Sequence, residues 1–389
     1  LLSRRQRQMC IRDRLIILFP SKTNSFIYHS PNKFSIYCII KHIRMHYIFK
    51  LLIFLVCDIL YKKLLKAVIM NIGNLHIDGF AALAPMAGVA DRAFREICRG
   101  YGAAFTESEM ISAKALSMGD KKSYELMHIT NGERPTGIQL FGNSPEVIEK
   151  AVKSVETENP DFIDFNFGCP APKIAGNGSG SALLKTPDVI GEILKSAYSV
   201  TDKPITAKIR IGWDNETKNA VKTATTIEKN GAVAITVHGR TRAQMYAPPV
   251  DTEAIREVKN AVSIPVIGNG DITDGQSAAL MFEKTNCNLL MVGRGALGRP
   301  WVFAQINAYM TDGRILPEPP VSERMRVMVN HVKKICEYKG EKIGIKEARK
   351  HAAWYIKGIR NAAEYRQSVG LLESIEQLEE IAYKISISN

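Results

Sequence analysis

Residues 265–301 read PVIGNGDITDGQSAALMFEKTNCNLLMVGRGALGRPW. Two short apolar runs, Ile264–Gly268 and Leu289–Val292, each end in a glycine-rich turn. Between them Asp274–Glu283 carries a helical period, opened by an acid in a capping position. This is a strand–helix–strand unit, and it repeats toward the N-terminus. Candidate strands are Phe80–Pro85, Ala103–Glu107, Thr136–Leu140, Phe162–Phe167, Ile205–Ile211 and Val233–Val237. Candidate helices are Asp91–Gly100, Ser144–Glu158, Pro187–Val200, Glu216–Lys229 and Asp251–Val262. Eight strands in alternation over about 245 residues match a (β/α)8 TIM barrel, placed at 70–316. An open doubly wound sheet is the alternative, but it carries G-x-G-x-x-G after its first strand. Here that strand ends in Ala84-Pro85-Met86-Ala87-Gly88.

Beyond Pro317, Pro319 and Pro320 the strands stop. Helical stretches at Ser322–Lys339, Lys346–Gly358 and Ser374–Ile385 predict a small all-helical C-terminal domain at 317–389. The chain of 389 residues is 46% hydrophobic, too apolar for a disordered protein. Its seven cysteines form no C-x-x-C pair, which excludes a disulfide scaffold and points to a reducing compartment, the cytoplasm. Cys98, Cys287 and Cys336 read as inert core thiols.

The formal charge of +13 is misleading. Residues 1–69 hold 13 of the 52 Lys/Arg and two of the 39 Asp/Glu, so the remainder is nearly balanced. Their longest apolar run, Leu51–Cys57, is short of the roughly 20 residues a membrane helix needs. Met70 opens MNIGNLHIDGF like an ordinary start. We therefore expect 1–69 to be a non-native or disordered leader, and no membrane association.

Barrel sites form at the C-terminal ends of the strands. Those ends carry Pro85, Met86 and Ala87 (first strand), Gln139 (third), Asn166 and Cys169 (fourth), Lys208 (fifth), His238 and Arg240 (sixth), Asn269, Gly270 and Asp271 (seventh), and Gly293 and Arg294 (eighth). Two glycine-rich turns on adjacent strands, with Arg294, suit a phosphate group. Lys208 sits in an apolar strand, where an unpartnered ammonium is costly. With Gln139 it could serve a flavin ring, which needs an amide at its pyrimidine edge and a cation near N1–O2. The turn at Cys169 projects its thiol at the rim, as a nucleophile or a general acid. No second Cys or His stands at ligand spacing and His238 is alone, so no metal is expected.

Together APMAGVADRAFR (84–95), DFNFGCPAPK (164–173), GSALL (180–184), KIRIGW (208–213), TVHGRTR (236–242), PVIGNGDI (265–272) and GRGALGRPW (293–301) resemble bacterial tRNA-dihydrouridine synthases, most of all the B-type subgroup. The resemblance runs from Met70 into the C-terminal tail. It implies an FMN barrel with a helical tRNA-gripping domain; we expect a monomer. Pro85, Met86, Ala87, Gln139, Lys208, His238, Asn269, Gly270, Asp271, Gly293 and Arg294 would line FMN, and NADPH would be the reductant. Hydride would go to C6 of a tRNA uridine and Cys169 would protonate C5, while Asn166 and Arg240 would meet the substrate. The basic run Lys346, Arg349, Lys350, Lys357 and Arg360 would offer tRNA contacts, above all Lys350 and Lys357. Trp354 and Tyr355 read as helix core.

Two departures stand out. Ala247-Pro248-Pro249 replaces a polar turn, and 176–180 (GNGSG) reads as either a loop over the site or a plain turn. An FMN barrel acting on a free pyrimidine, like dihydroorotate or dihydropyrimidine dehydrogenases, is the rival enzyme. A non-catalytic RNA-binding barrel is the other rival.

Overall fold

A computed structural model describes residues 70–389. The expectations for 1–69 lie outside the described residues. The barrel strands are β1 (Ala81–Leu83), β2 (Thr106–Glu107), β3 (Thr136–Phe141), β4 (Phe162–Phe167), β5 (Ile205–Arg210), β6 (Ala234–His238), β7 (Val266–Asn269) and β8 (Leu289–Val292). They pair in parallel in the order β1-β8-β7-β6-β5-β4-β3-β2. Ala104 N donates to Ala81 O (2.7 Å) and Leu83 N to Phe105 O (3.1 Å), bridging β1 and β2. The (β/α)8 TIM barrel expected from the sequence is therefore present. The expected second strand, Ala103–Glu107, is split for the same reason: Ala104 and Phe105 bond to β1, and only Thr106 and Glu107 ladder with β3.

The strands are buried on both faces, which is why they read as near-continuous apolar runs. Helices α1 (Arg92–Gly100), α2 (Pro145–Val155), α3 (Pro187–Tyr198), α4 (Ala220–Lys229), α5 (Thr252–Ala261), α6 (Gly275–Thr285) and α7 (Val302–Asp312) surround them. Two short helices, Ala113–Ser117 and Lys121–Met127, fill the second crossover. Helix α4 starts later than expected because Asp214 Oδ1 accepts from the N–H groups of Glu216 (3.1 Å) and Thr217 (2.9 Å), making a side-chain turn instead. An antiparallel hairpin, Met70–Ile72 with Leu75–Ile77, packs on Phe105, Phe162 and Leu289 and plugs the N-terminal end of the barrel. That leaves the C-terminal end for chemistry.

The tail is helical as expected: α8 (Val321–Lys339), α9 (Glu341–Tyr355), α10 (Ala362–Gly370) and α11 (Ile375–Ser388). Helix α10 escaped the sequence reading; it follows Asn361 in the left-handed region (φ 58°). The tail docks on α1, where Ala93 and Ile97 join its apolar core. Glu96 accepts from Lys334 Nζ (2.5 Å) and the Tyr338 hydroxyl (2.6 Å) at the seam. The tail therefore lies beside the loop that follows β1. No helix among the described residues is long and apolar enough to cross a membrane.

Candidate active site

At the exits of β3 and β4 the polar side chains are locked to one another. Gln139 is fully buried. Its Nε2 donates to Asp164 Oδ2 (2.7 Å) and Glu107 Oε2 (3.3 Å), and its Oε1 accepts from Asn166 Nδ2 (2.8 Å). Asn166 Oδ1 in turn accepts from the backbone N–H groups of Gly168 (3.1 Å) and Cys169 (2.8 Å). An amide that accepts twice on one oxygen and donates from the other end fixes its own flip, and with it the turn. Asn166 thus shapes the Cys169 turn directly. Both amides expected to face a ligand are turned toward the protein.

The turn leaves Cys169 half-buried at the rim. Its carbonyl accepts from Ser181 N (3.1 Å), so the 176–180 stretch is a turn folded back on it. A Cβ at Gly180 would stand 3.0 Å from the Cys169 carbonyl oxygen, at a φ of +59°; only glycine suits that approach. Burial pushes the thiol above its ordinary value, against the opposing pull of the Ala171 backbone and the Arg210 guanidinium. The sulfur is held as S–H at neutral pH.

Across the mouth the cations have capacity to spare. Lys208 Nζ donates to Asn269 Oδ1 (3.0 Å), and Asn269 Nδ2 is anchored on Met291 O (2.7 Å). Burial lowers the Lys208 ammonium to about 8, against the attraction of Glu107 and Asp164 below it. Burial also raises both of those carboxyls, Glu107 the more strongly because Asp164 adds to it. Arg294 is 52% exposed at its side chain, reaches Asp271 Oδ1 at 3.3 Å and covers the Tyr246 ring at 4.7 Å. Gly293 is half-buried and Gly270 holds φ +136°, with Val250 2.7 Å from where a Cβ would stand. Pro85 and Met86 are half-buried and Ala87 is exposed on the β1 loop.

His238 and Arg240 take a third role. Arg240 is 1% exposed. It donates through Nε to Ala247 O (2.7 Å), through Nη2 to Asp271 Oδ2 (2.5 Å) and through Nη1 to His238 Nε2 (3.3 Å). It braces the loops after β6 and β7, leaving little of the guanidinium for a substrate. Since arginine only donates, His238 Nε2 accepts and its proton sits on Nδ1. Burial, with Lys208, Arg210, Arg240 and Arg294 nearby, keeps that imidazole neutral.

In the tail, Lys350 and Lys357 are exposed. Lys350 Nζ lies 3.0 Å from where a Cβ at Gly88 would be, directly over the β1 loop. Arg349 departs from the expected basic face: its Nε (3.0 Å) and Nη2 (2.5 Å) both donate to Leu372 O, tying α9 to the following helices. Tyr355 is core, and Trp354 meets His351 edge-on at 5.2 Å.

Sequence reasoning missed the buried pair Glu107 and Asp164, which no spacing relates. It also missed Trp213, flanked by Lys185 Nζ at 3.6 Å and Arg242 Cζ at 4.4 Å; the KIRIGW string contained that signal. A recess of about 830 Å³ lined by Asn74, Asp161 and Lys203 lies at the opposite end of the barrel and gathers no thiol or imidazole.

A family model described as dihydrouridine synthase matches residues 82–387. A relative from Vibrio vulnificus (strain CMCP6), named tRNA-dihydrouridine synthase B, is 40% identical over 305 residues, covering 78% of this chain and 95% of its own. A probable tRNA-dihydrouridine synthase from Rickettsia bellii (strain RML369-C) is 40% identical over 304 residues, 78% of this chain and 93% of its own. Among solved structures, 6-hydroxypseudooxynicotine amine oxidase from Pseudomonas geniculata N1 superposes with a TM-score of 0.51 at 13% identity, over 68% of this chain and 53% of that one. The chain spans about half the length of that structure, and the likeness is one of fold.

Proposed function

The chain belongs to the dihydrouridine synthase family, and we propose that it reduces specific uridines of tRNA to 5,6-dihydrouridine, with FMN as its flavin and NADPH as reductant. The barrel at 70–316 would hold the flavin and perform the chemistry, the helices at 317–389 would bind tRNA, and the protein would act as a monomer in the cytoplasm. The observation that carries the reading is the disposition of the mouth. A thiol held protonated stands on one side, and an ammonium, two glycine-rich turns and a half-exposed guanidinium stand on the other.

Those groups suit FMN. Arg294 and the backbone at Gly270 and Gly293 would take its phosphate. Lys208, whose one hydrogen bond among the described residues goes to Asn269, would face the ring edge that becomes anionic on reduction. Pro85, Met86, Ala87 and Asp271 would border the ring and its tail, with neutral His238 near both ring and substrate. Gln139 would support the site from behind Asn166. When bound, the reduced flavin supplies the hydride that adds to C6 of the uracil.

Cys169 completes the reaction. The S–H bond breaks as C5–H forms, and the electron pair of that S–H bond stays on sulfur as thiolate. Burial that disfavours the thiolate keeps the proton on sulfur until the far more basic carbanion at C5 takes it, and makes the resulting thiolate quick to recover one. A uridine must leave its stack to reach this depth, which suits a tRNA loop. Lys350, over the β1 loop, and Lys357 would hold the phosphates of that loop. A free pyrimidine would gain nothing from either.

Purified protein should be yellow and bleach with NADPH. Cys169→Ala should keep both properties and lose about 10²- to 10⁴-fold in dihydrouridine formation, the usual range for a removed general acid. A colourless protein that binds no flavin, or a Cys169→Ala variant with full activity on tRNA, would overturn the proposal.

A further inference from the structure

Away from the mouth, three buried groups from distant parts of the chain converge where α1 meets the tail. Asp91 caps α1, His331 lies in α8 and His351 in α9, with exposures of 6%, 0% and 2%. One ligand atom of each lies within 4.8 Å of the others. Asp91 Oδ1 is occupied by the N–H of Phe94 (2.9 Å), which leaves Oδ2 facing His351 Nε2 at 3.7 Å, too far for a hydrogen bond. His331 Nε2 and His351 Nε2 are buried with no hydrogen-bond partner among the described residues.

The opposite ring nitrogens decide what these atoms offer. The His351 ring hydrogen-bonds the Gly88 backbone. Because Nε2 is unpartnered, that bond belongs to Nδ1, and a neutral imidazole donating from Nδ1 presents a lone pair at Nε2. His331 Nδ1 stands 3.2 Å from the Tyr355 hydroxyl, and its ring is held by stacking on Phe94 at 5.2 Å and 17°. The Tyr355 hydroxyl both donates and accepts, and a cation at His331 Nε2 would select the tautomer in which Nδ1 donates to it. In that tautomer two imidazole lone pairs and a carboxylate oxygen face one another in a dry space, an arrangement that a cation between them satisfies. Histidine ligands to metals are commonly fixed in this way, through the other ring N–H to a carbonyl or hydroxyl.

We infer that Asp91, His331 and His351 form a site for a divalent transition cation of the zinc class, which clamps the tail onto the first crossover of the barrel. Two nitrogens and one carboxylate oxygen suit zinc, with water in the fourth position. Tetrahedral ligand atoms at zinc distances stand about 3.3 Å apart, so the three side chains draw together slightly on binding. The clamp sits behind the Pro85–Gly88 loop, whose last residue holds the His351 ring. Residue spacing could not reveal it, since the ligands come from opposite ends of the described chain.

The test uses the full chain loaded with zinc, and separately with cobalt, then freed of loose metal. Metal content, the visible spectrum of the cobalt form and the melting temperature with and without chelator are read in parallel. His331→Phe keeps the stack on Phe94 and removes a ligand; Asp91→Asn keeps the helix cap and weakens one. The expected result is about one more equivalent of zinc in the wild type than in folded His331→Phe. The cobalt form should show tetrahedral d–d bands that both variants lose or weaken, and chelator should lower the melting temperature of the wild type and leave that of His331→Phe unchanged. Metal bound elsewhere would persist in the variants and cancel in the difference. Equal metal content in wild type and His331→Phe, or no cobalt bands in the wild type, would overturn the inference and leave the three groups holding a water or a shared proton.

Discussion

The two sides of the barrel mouth are built on opposite terms. Around β3 and β4 the amides are committed: Gln139 bridges Asp164 and Asn166, and Asn166 holds the Cys169 turn. Around β7 and β8 one cation is left open. Arg294 is 52% exposed on a 3.3 Å contact with Asp271. The difference matches two jobs. A proton donor must be in place before the substrate arrives, which favours a rigid support. A phosphate site must offer donors that are not already satisfied. The largest break in this contrast should come from Asn166→Ala. It removes the acceptor of two backbone N–H groups and should cost about 10²-fold in kcat for uridine reduction, the scale of an ångström of misplacement. Flavin content and NADPH-driven bleaching should stay as they are. Asn166→Asp, which keeps the acceptor, should recover part of the loss. A general loss of fold would lower all three measurements together.

On the open side, Arg294→Ala should leave the mouth intact, because Asp271 keeps Arg240 as partner at 2.5 Å. The effect should fall on FMN affinity, by roughly ten- to a hundredfold, the worth of a lost charge-assisted hydrogen bond. Titration of stripped protein with FMN measures it. Unchanged affinity would move the phosphate away from the β7–β8 turns.

The same contrast explains what could be read from the sequence. The barrel was legible because each parallel strand, buried on both faces, appears as an apolar run closed by a turn. The rim residues were legible because strand ends are where the chain must place them. Their orientations were not. Arg240 and Arg294 look alike as residues after Gly-rich strand ends, yet Arg240 is buried among Ala247, His238 and Asp271 while Arg294 is open. Arg349 and Lys350 are neighbours on α9, yet one is tied to Leu372 and the other reaches toward Gly88. Glu107 and Asp164 read as ordinary strand acids until packing places Gln139 against both. Each distinction depends on which non-adjacent carbonyl or carboxylate stands nearby, and local pattern carries no record of that.

The two sides should also separate with pH. The Lys208 ammonium, lowered to about 8, loses its charge as pH rises through that value. The Cys169 thiol, raised by burial, keeps its proton beyond the ordinary thiol value of about 8.5. The affinity of the stripped protein for reduced FMN, whose anionic ring edge Lys208 would face, should therefore weaken about tenfold between pH 7 and pH 9, since the lysine must first be protonated to meet that anion. Alkylation of Cys169, which needs the thiolate, should begin only at higher pH. Lys208→Met should remove the first break and spare the second. A thiol that reacts before the flavin site weakens would reverse the assignment.

The smallest effects belong to the tail. Lys357→Glu changes an exposed cation, and Lys350→Glu changes one that stands over the β1 loop. If each meets one tRNA phosphate, either change should weaken tRNA binding several-fold at moderate salt. Each should also reduce the slope of log affinity against log salt by about 0.7–0.9. NADPH oxidation without tRNA should be unaffected by Lys357→Glu. Lys350→Glu should differ in one respect: a carboxylate beside Gly88 faces the proposed flavin loop, so FMN affinity should fall slightly as well. Equal effects of the two substitutions on FMN would mean that Lys350 does not lean over the mouth. An unchanged salt slope in the double variant would place the tRNA on another face, with the cations around Trp213 as the next to test.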